Sequence, residues 1–548
     1  MSHSNRTWIP LAFFFAVAVL FYFVNRPAYN GYFSDDDFEN LGWPTLAGND
    51  VYYNALVTPK LDESNFRPVG FLYYRFMVPA FKLHYGPYVA VLQVLHGLNV
   101  ILLFLLLARL GFSQVAAGAG ALFYSFHAGV LEAYWQPKYV FDLLCCTLCL
   151  VTLLLYIRGR WLLALIPFWL AYKSKEIAVM LPVALLAWEW LLGGRKWKRL
   201  IPYFLISLTF GVQALWHNRS VPPGTTYALR FTPDTLIGTV AFYSSAMFFL
   251  PYLWVLLLCV PWLVRDRRLY FGMILMVALF IPLLFLPSRM ISVYAYVPLT
   301  GLAVAFAAIA SRTPRWAIAL FFVLWFPLNY AMMRDKRRAI LAAGDVARWY
   351  TIGLLEYSRH VPPLNAVVYQ SVPPYMGAWG VEGAIHQVFG NHVSAEWEGR
   401  PEAQKAMERV PMAFVGYYPV PHTVKGLLRT RNEPGSYIRF TDEIPKYQFG
   451  AGWDYDWGVQ GRIATQAELT LYRPAESKEF EIVAMSLAGR AKVTVLENSD
   501  SLGSRMLGDA QVQPLHWKLS GADPGGKEIT IQTDSGIAVR SIGYVPLP

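Results

Sequence analysis

Charged residues are scarce in this sequence. They make up 15% of its 548 residues, hydrophobic residues make up 55%, and the mean hydropathy is +0.35. A soluble protein carries about 25% charged residues, so a soluble enzyme of ordinary composition is excluded. The deficit lies in residues 8–333, which read as successive apolar runs of about 20 residues, the length that crosses a bilayer. The sequence therefore predicts a polytopic α-helical membrane protein.

Cysteine is also rare, and its four positions exclude two further classes. Cys145, Cys146, Cys149 and Cys259 all lie within apolar runs. They cannot form a disulfide framework, and no Cys/His spacing typical of a metal site is present. The net charge of +11 does not indicate a nucleic-acid partner, because the basic residues cluster in short loops between apolar runs, where membrane topology explains them.

Eleven apolar runs are predicted as transmembrane helices. They lie at about residues 8–24, 88–107, 114–131, 139–157, 161–172, 177–192, 201–216, 236–264, 269–286, 290–310 and 316–333. Lys and Arg are more frequent in the loops on one side, which the positive-inside rule assigns to the cytoplasm. The N-terminus is then inside and the region after residue 333 outside. We expect a multi-pass protein of a bacterial inner membrane with its C-terminal part in the periplasm; an endoplasmic-reticulum protein would have the same topology.

One basic run departs from that charge rule. Residues 334–338 read RDKRR and fall on the outside. Either the last apolar run is misassigned, or this run contacts anionic lipid or a phosphate ligand.

The pattern changes along the chain and divides it into three parts. Residues 1–333 form the predicted transmembrane domain, whose first outside loop, 25–87, contains an amphipathic interfacial helix at 66–83. Residues 334–466 are a mixed α/β segment, with a helix at 333–360, a strand at 367–369 and a helix at 381–389. Residues 467–548 alternate as strands do and are separated by turn residues such as NSDSLG, which predicts a β-sandwich. Carbohydrate contact and a structural role are both open for this last part.

Three adjacent carboxylates, Asp35, Asp36 and Asp37, follow the first apolar run. An acid at a bilayer centre costs about 2.5–3.5 kcal/mol, so acids at a membrane border need water, partners or a function. Clustered like charges raise one another's pKa, which suits a general base. The alternatives are a solvated loop that caps the helix end, and a divalent-cation site, because carboxylate oxygens are hard ligands for Mg²⁺ or Mn²⁺.

The remaining outside loops carry both acids and cations. The candidates are His127, Glu132, Lys138, Asp142, Lys175, Glu176, Arg289 and Tyr294. The inside loops carry Arg and Lys with one acid, Asp266. This asymmetry predicts an outward-facing site with an acid at its centre and cations around it. Such a site suits a phosphate-bearing substrate whose leaving group carries charge, and a substrate at a membrane border is expected to be a lipid. Lysine snorkelling and local helix capping are the alternatives.

Taken in order, these residues resemble the motifs of the GT-C glycosyltransferases, most closely the transmembrane-and-TPR O-mannosyltransferases and their bacterial relatives. The matching pieces are Asp36–Asp37, Arg67–Pro68, His96 with Asn99, the spaced His127, Glu132 and Asp142, the pair Lys175–Glu176, and Arg289, Tyr294, Tyr296 and Pro298. Two features depart from the family. Val140 stands where the family has an Arg, and the tail has no repeat of about 34 residues and hence no TPR array.

The resemblance implies an inverting hexosyltransferase that needs no metal. It would move a sugar, as a mannosyltransferase does, from a polyprenyl-phosphate donor to a hydroxyl of a protein, glycan or lipid acceptor on the extracytoplasmic face. Its base would be Asp36 or Asp37, next to Asp35. The donor phosphate would be held by Arg289, Arg67, Lys138 and Lys175. The site would be oriented by His127, Glu132, Asp142, Glu176 and Tyr294, with Asp142 paired to Lys138.

Two other functions fit less well. A lipid-linked saccharide transporter without chemistry needs polar residues along its spans, and these spans have few. A membrane-anchored scaffold leaves the outside-loop motifs unexplained.

Overall fold

The computed structural model divides the chain into two units, Met1–Ala347 and Arg348–Pro548. The structure describes residues 8–546 except 43, 45, 61–65, 220, 223–224, 251–252, 254, 256–258, 261, 263, 408, 421, 430–434, 441–447, 457–459, 464 and 509–510.

Helices build the first unit. In chain order they are α1 (Trp8–Asn25), α2 (Asp36–Gly42), α3 (Asn49–Val57), α4 (Pro68–Phe81), α5 (Tyr85–Arg109), α6 (Gln114–Phe126), α7 (Val140–Ile157), α8 (Leu165–Ser174), α9 (Leu181–Leu191), α10 (Ile201–His217), α11 (Pro233–Phe248), α12 (Arg267–Phe280), α13 (Leu299–Ala310) and α14 (Arg315–Ser358). The boundary between the two units falls within α14. Short 3₁₀ segments lie between several of these helices, among them Ala128–Tyr134, Pro137–Tyr139 and Glu176–Met180.

Five helical stretches among the described residues are long and apolar enough to cross a membrane. They are Ala12–Asn30, Tyr85–Arg109, Pro137–Ile157, Trp197–His217 and Arg315–Ser358. These helices are those of an integral membrane protein, but they are fewer than the eleven that the sequence predicted. Each predicted run does contain a helix. Several of these helices, such as α6, α8, α9 and α12, end after 10 to 14 residues, short of the about 20 that a span needs.

Small residues allow the helices of this unit to approach closely. A Cβ atom at Gly301 on α13 would lie 2.4 Å from the backbone nitrogen of Met276 on α12, and one at Gly272 would lie 2.6 Å from the nitrogen of Ala305. In an apolar surrounding, such close backbone packing replaces the hydrophobic drive that water supplies to soluble proteins.

A helix is confirmed where the sequence predicted an amphipathic one at 66–83, and it is α4. Arg67 is its N-cap residue and Pro68 occupies the first turn, where a missing N–H costs nothing. Gly70 lets the helix lie directly on α7, because a Cβ atom there would be 2.0 Å from the Phe141 ring. The start of α4 is thereby held against the start of α7.

The second unit begins with a four-stranded sheet of order β2-β1-β3-β4. Its strands are β1 (Ala366–Tyr369), β2 (Ser394–Trp397), β3 (Met412–Tyr418) and β4 (Thr423–Arg429), and its helices are α15 (Ala378–Phe389) and α16 (Pro401–Met407). Strand β1 is parallel to both β2 and β3, whereas β4 is antiparallel to β3. The strand predicted at 367–369 and the helix predicted at 381–389 are confirmed.

Two further sheets share one buried core. The first has the order β11-β10-β13-β8, and the second β12-β9-β14-β7-β6 with β5 beside β14. The strands are β5 (Tyr437–Arg439), β6 (Trp453–Asp456), β7 (Gln460–Ile463), β8 (Gln466–Arg473), β9 (Ser477–Ser486), β10 (Ala491–Glu497), β11 (Asp500–Leu507), β12 (Gln513–Lys518), β13 (Gly525–Thr533) and β14 (Ile537–Pro546). Trp517 and Phe480 are fully buried between them. The β-rich C-terminal region is as the alternating pattern predicted.

One strand of this region was read as a turn in the sequence. Asn498 and Ser499 adopt φ angles of 47° and 75°, so the reversal needs only these two residues. Such two-residue turns with positive φ match the twist of a hairpin. The chain therefore resumes as β11 at Asp500, and the second half of NSDSLG pairs with β10 instead of forming a loop.

Candidate active site

The acidic loop after α1 presents its carboxylates in different environments. Asp37 is fully buried, and its two oxygens accept hydrogen bonds from the backbone N–H groups of Ser34 at 3.0 Å and Lys138 at 2.6 Å. Burial raises the pKa of Asp37 to about 7, although the Lys138 charge and both hydrogen bonds oppose that rise. Asp37 therefore ties the acidic loop to the segment before α7.

Asp36 is only partly buried and precedes Asp37 at the start of α2. Successive helical residues point about 100° apart, which separates the two carboxylates. Burial and then the Asp35 charge raise the pKa of Asp36, and the Lys138 and Arg289 charges act against them. Asp36 also hydrogen bonds to Asp35, whose φ of 51° turns the chain into α2. Asp36 thus combines a raised pKa with the charges of two cations, whereas one cation, Lys138, acts on Asp37.

Lys138 and Arg289 are the cations beside Asp36. Both are partly exposed, and within the part of the chain that the structure describes neither forms an ion pair with a carboxylate at 4.0 Å or less. The Lys138 side chain lies 5.7 Å from the Tyr139 ring centroid. The charges of Lys138 and Arg289 favour the ionised form of Asp36, against the effects of burial and of Asp35.

Two tyrosines orient the Arg289 guanidinium. Its Nε donates a 2.6 Å hydrogen bond to the Tyr294 hydroxyl, and its Cζ lies 4.5 Å above the Tyr227 ring. Tyr294 also faces Lys175, whose Nζ is 4.0 Å from its ring centroid. Only Nε is used in the Tyr294 bond, so the terminal nitrogens of Arg289 can donate to a ligand.

Arg67 and Glu176 form a bidentate ion pair. Arg67 Nε and one terminal nitrogen donate to the two Glu176 oxygens at 2.8 and 3.0 Å. Burial is the largest single influence on the pKa of each partner and disfavours its charge. The partner's charge and hydrogen bonds, together with smaller contributions nearby, outweigh burial, so the pKa of Arg67 is raised and that of Glu176 is lowered. The pair joins the start of α4 to the segment before α9.

Lys175 is paired with Asp142 in a second, more deeply buried contact. Its Nζ lies 2.6 Å from both Asp142 oxygens, and the two side chains are 9% and 2% exposed. Burial lowers the pKa of Lys175, and Asp142 counteracts it. The prediction that Asp142 pairs with Lys138 is therefore wrong. Because α7 begins only at Val140, Lys138 precedes the helix, and its backbone N–H is turned towards Asp37.

His127 is buried among packed helices. Its Nδ1 accepts from the Gly129 N–H at 3.0 Å, so its Nε2 carries the proton and donates to the Met247 carbonyl at 2.9 Å. The ring also stacks on Phe249, with centroids 5.2 Å apart. Both nitrogens of a neutral imidazole are thus used within the fold. His96 is satisfied in the same way, by the Tyr296 hydroxyl and the Ser125 carbonyl.

Glu132 belongs to a polar group that includes a residue of α14. Lys336 donates to the Glu132 carboxylate at 3.2 Å and to the Ser292 hydroxyl at 2.7 Å, and Ser292 in turn donates to Glu132 at 3.1 Å. Lys336 comes from the basic run 334–338, which the sequence marked as anomalous. The Lys336 charge of that run therefore has a partner, Glu132, within the same unit.

Three residues of the site were not singled out from the sequence. They are Tyr139, Tyr227 and Lys336. Tyr139 interacts electrostatically with Asp36, Glu132, Asp142 and Tyr294, which places it at the centre of the group. The basic run was the only signal for Lys336. Nothing in their local sequence distinguishes the two tyrosines from the many aromatic residues at membrane borders.

The described residues contain no group of three or more His, Cys, Asp and Glu side chains with the arrangement of a metal site.

Comparison with known proteins adds likenesses among solved structures. No protein-family model and no curated protein sequence matches the chain. ArnT from Cupriavidus metallidurans, bound to undecaprenyl phosphate, is 11% identical, over 76% of this chain and 94% of ArnT, with a TM-score of 0.45. The arabinosyltransferase EmbB from Mycobacterium smegmatis is 14% identical, over 100% of this chain and 65% of EmbB, with a TM-score of 0.34. A carbohydrate-binding module, CBM36 in complex with calcium and xylotriose, is 16% identical, over 20% of this chain and 98% of the module, with a TM-score of 0.16.

ArnT and EmbB are GT-C glycosyltransferases, the superfamily that the sequence motifs resemble. All three TM-scores are too low to establish a shared fold. Membership of the superfamily therefore stays a prediction from the motifs, and the chemistry of this chain has to be argued from the residues of the site.

Proposed function

We propose that this chain is an inverting membrane glycosyltransferase. It takes a sugar, of the hexose class, from a polyprenyl-phosphate donor and attaches it to an acceptor hydroxyl on the extracytoplasmic face. The observation that carries the proposal is a partly exposed Asp36 carboxyl with a raised pKa, on which the charges of Lys138 and Arg289 act. Neither cation forms an ion pair at 4.0 Å or less in the described part of the chain.

The position of these residues favours a lipid-linked donor. Asp36 follows the apolar stretch Ala12–Asn30 closely, and Lys138 lies in the first turn of Pro137–Ile157. Both stretches are long enough to cross the hydrocarbon core, so their ends lie at the membrane border. A phosphate attached to a polyprenyl chain is held at that height by its own lipid tail.

Asp36 is the proposed general base. Its carboxylate takes the proton of the acceptor hydroxyl while that oxygen attacks the anomeric carbon. The bond between the anomeric carbon and the phosphate oxygen breaks, and its electron pair leaves with the lipid phosphate. A single displacement of this kind inverts the configuration at the anomeric carbon. General base catalysis is typically worth about 10²–10⁴-fold, and a raised pKa strengthens the base.

Arg289 and Lys138 are the proposed phosphate ligands. The leaving phosphate gains negative charge in the transition state, and positioned cations stabilise it more there than in the ground state. Arg289 is pre-oriented by Tyr294 and Tyr227 and can donate through two terminal nitrogens. Of the four cations predicted for this role, Arg67 and Lys175 already form ion pairs with carboxylates. In this proposal they keep the elements around the site in position.

The test is turnover by the purified full-length protein in detergent. A polyprenyl-phosphate-linked hexose is offered with an alkyl hexoside or a Ser/Thr-containing peptide, and release of polyprenyl phosphate is measured. Asp36→Asn keeps the size and removes the base, so release is expected to fall by about 10²–10⁴-fold while the thermal midpoint stays at the parent value. Asp50→Asn changes an exposed acid of the same loop and is the matched control.

Two outcomes would overturn the proposal. Equal rates for the parent and Asp36→Asn would remove Asp36 as the base. Binding of the donor with no release for any acceptor would favour a lipid-linked saccharide transporter. A parallel sample with chelator addresses the metal question, because the proposed displacement runs at the same rate with and without it.

A further inference from the structure

Arg337 on α14 is a buried cation that hydrogen bonds to Tyr330 but has no carboxylate partner among the described residues. The side chain is 7% exposed, and its Nε and one terminal nitrogen have no hydrogen-bond partner among the described residues. Its neighbours in the basic run differ from it. Lys336 meets Glu132 at 3.2 Å, and Arg334 is exposed with Asp335 at 3.7 Å.

The surroundings of Arg337 are aromatic and offer a further donor. Its Cζ lies 5.4 Å from the ring centroids of both Trp135 and Tyr330. It also interacts electrostatically with Tyr134, whose hydroxyl is buried without a hydrogen-bond partner in the described part of the chain. The Trp135 indole N–H is already used, because it donates to the Asn25 side-chain oxygen at 2.9 Å. Three donor atoms, two on Arg337 and one on Tyr134, thus remain for an acceptor.

Burial of a charge that nothing neutralises is costly, and native proteins pair such groups or give them a ligand. The two unpartnered atoms of Arg337 form one edge of the guanidinium, and this edge binds a phosphate or carboxylate through two parallel hydrogen bonds. The Tyr134 hydroxyl can add a third. The missing group therefore has to be an anion with several acceptor oxygens.

The depth of Arg337 favours phosphate as that anion. The apolar run 316–333 of α14 is about 27 Å long at a rise of 1.5 Å per residue, close to the thickness of the hydrocarbon core. Arg337 lies about one helical turn beyond the end of this run, at the height of lipid headgroups. Tyr330, on its membrane side, is 51% exposed and leaves an approach from outside the unit.

We propose that Arg337 and the Tyr134 hydroxyl form a binding site for a phosphate group, separate from the Asp36 site. The phosphate comes either from the headgroup of an anionic lipid or from a free phosphate. The site binds and does no chemistry. This proposal is independent of the glycosyltransferase proposal, because it uses none of the residues assigned to the reaction.

The experiment uses the full-length protein, delipidated in detergent. Its thermal midpoint and its affinity are measured with phosphatidylglycerol in one arm and with inorganic phosphate at matched ionic strength in the other. Binding of the lipid alone identifies a headgroup site, and binding of both identifies a site for the phosphate itself. Binding of neither would overturn the proposal.

Three variants make the result specific. Arg337→Gln removes the charge and the paired donors, and we expect at least about tenfold weaker binding, as for the loss of a charged hydrogen bond. Tyr134→Phe removes one neutral donor and should weaken binding by about fivefold. Arg338→Gln removes the same charge from an exposed neighbour and should leave the affinity within about twofold. Equal weakening by Arg337→Gln and Arg338→Gln would show general charge attraction and overturn the proposal.

The same variants separate a ligand site from a structural contact. Without added anion, Arg337→Gln should have a thermal midpoint equal to or above that of the parent, because the variant loses a buried and unpaired charge. A lower midpoint would show that Arg337 is stabilised within the fold and would also overturn the proposal.

Discussion

Two sides of the candidate site use the same residue types in opposite ways. On one side, which we call the paired side, Arg67 is bonded to Glu176 and Lys175 to Asp142. On the other, which we call the open side, Asp36 faces Lys138 and Arg289 without a direct ion pair among the described residues. The ion pairs of the paired side join α4, α7 and the segment before α9. The open side has charges to offer to a ligand.

Structural and functional charges in this site can therefore be separated by whether a carboxylate pairs with them. A buried ion pair often contributes little net stability, because desolvation offsets the attraction, but losing one partner is severe. An unpaired charge in a partly buried position destabilises the fold, and a bound ligand of opposite charge offsets that destabilisation. Predictions for the two sides therefore differ in kind. Variants of the paired side should affect stability, and variants of the open side should affect turnover.

The largest expected effect is on the paired side. Asp142→Asn leaves Lys175 buried beside a neutral amide, and the free energy of unfolding should fall by about 3–5 kcal/mol. The double variant Asp142→Leu with Lys175→Met replaces the pair by apolar groups and should recover most of that loss. Thermal unfolding in detergent measures both.

The exposed acid Asp234 supplies the control for this prediction. Asp234→Asn should change the free energy of unfolding by less than about 0.5 kcal/mol. If the double variant were as unstable as Asp142→Asn alone, the loss would come from packing and not from an uncompensated charge.

A smaller effect is expected from Asp37, which belongs to the loop of the open side but is itself fully bonded. Its pKa of about 7 in the folded protein is above the 3.8 of a free Asp, so between these values the folded state holds a proton that the unfolded state has lost. Stability from this group is therefore complete below pH 4 and declines as the pH rises to about 7. Between pH 5 and pH 8 the decline should be about 2–3 kcal/mol.

The measurement is the free energy of unfolding against pH for the parent and for Asp37→Asn, which cannot ionise. The variant should show a flatter profile, while Asp50→Asn should keep the slope of the parent. A profile with the same slope in all three proteins would mean that Asp37 is ionised throughout this pH range.

The smallest of these effects is expected on the open side, where Arg289 is replaced by a cation of different shape. Arg289→Lys keeps the charge and loses the planar fork that can hold two phosphate oxygens, so kcat should fall by about tenfold with little change in the thermal midpoint. Arg230→Lys, at an exposed position of the preceding loop, should retain the parent kcat. Full activity of Arg289→Lys would show that charge alone suffices, or that Lys138 carries the phosphate.

Some features of this site were readable from the sequence because they are local. A carboxylate next to an apolar run lies at a membrane border wherever the helix points, and Arg67–Pro68 predicts a helix start from two residues. The strand alternation of residues 467–548 likewise depends only on which neighbours are apolar. In these places the predicted elements appear within a few residues of their observed bounds.

Other features depend on contacts between distant residues. Lys138 and Asp142 are four apart, the spacing of helical neighbours, yet the helix begins between them and Asp142 meets Lys175, 33 residues further along. Among the described residues, fewer helices are long enough to span a membrane than the apolar runs predicted. Short 3₁₀ segments, such as Glu176–Met180 and Ile281–Leu283, lie within or beside two of those runs and shorten the helices.

The amino-acid sequence alone was enough to predict a membrane protein with a β-rich C-terminal region. It also predicts that acids and cations collect in the loops of one side. Those properties follow from composition and periodicity, which act over a few residues at a time. The fold alone shows that Asp37 accepts two backbone hydrogen bonds and that Arg67 and Lys175 form ion pairs. It also shows that, among the described residues, no carboxylate pairs with Lys138, Arg289 or the buried Arg337. Whether a charged side chain is neutralised depends on which groups the fold brings within a few ångströms, and those groups come from anywhere in the chain.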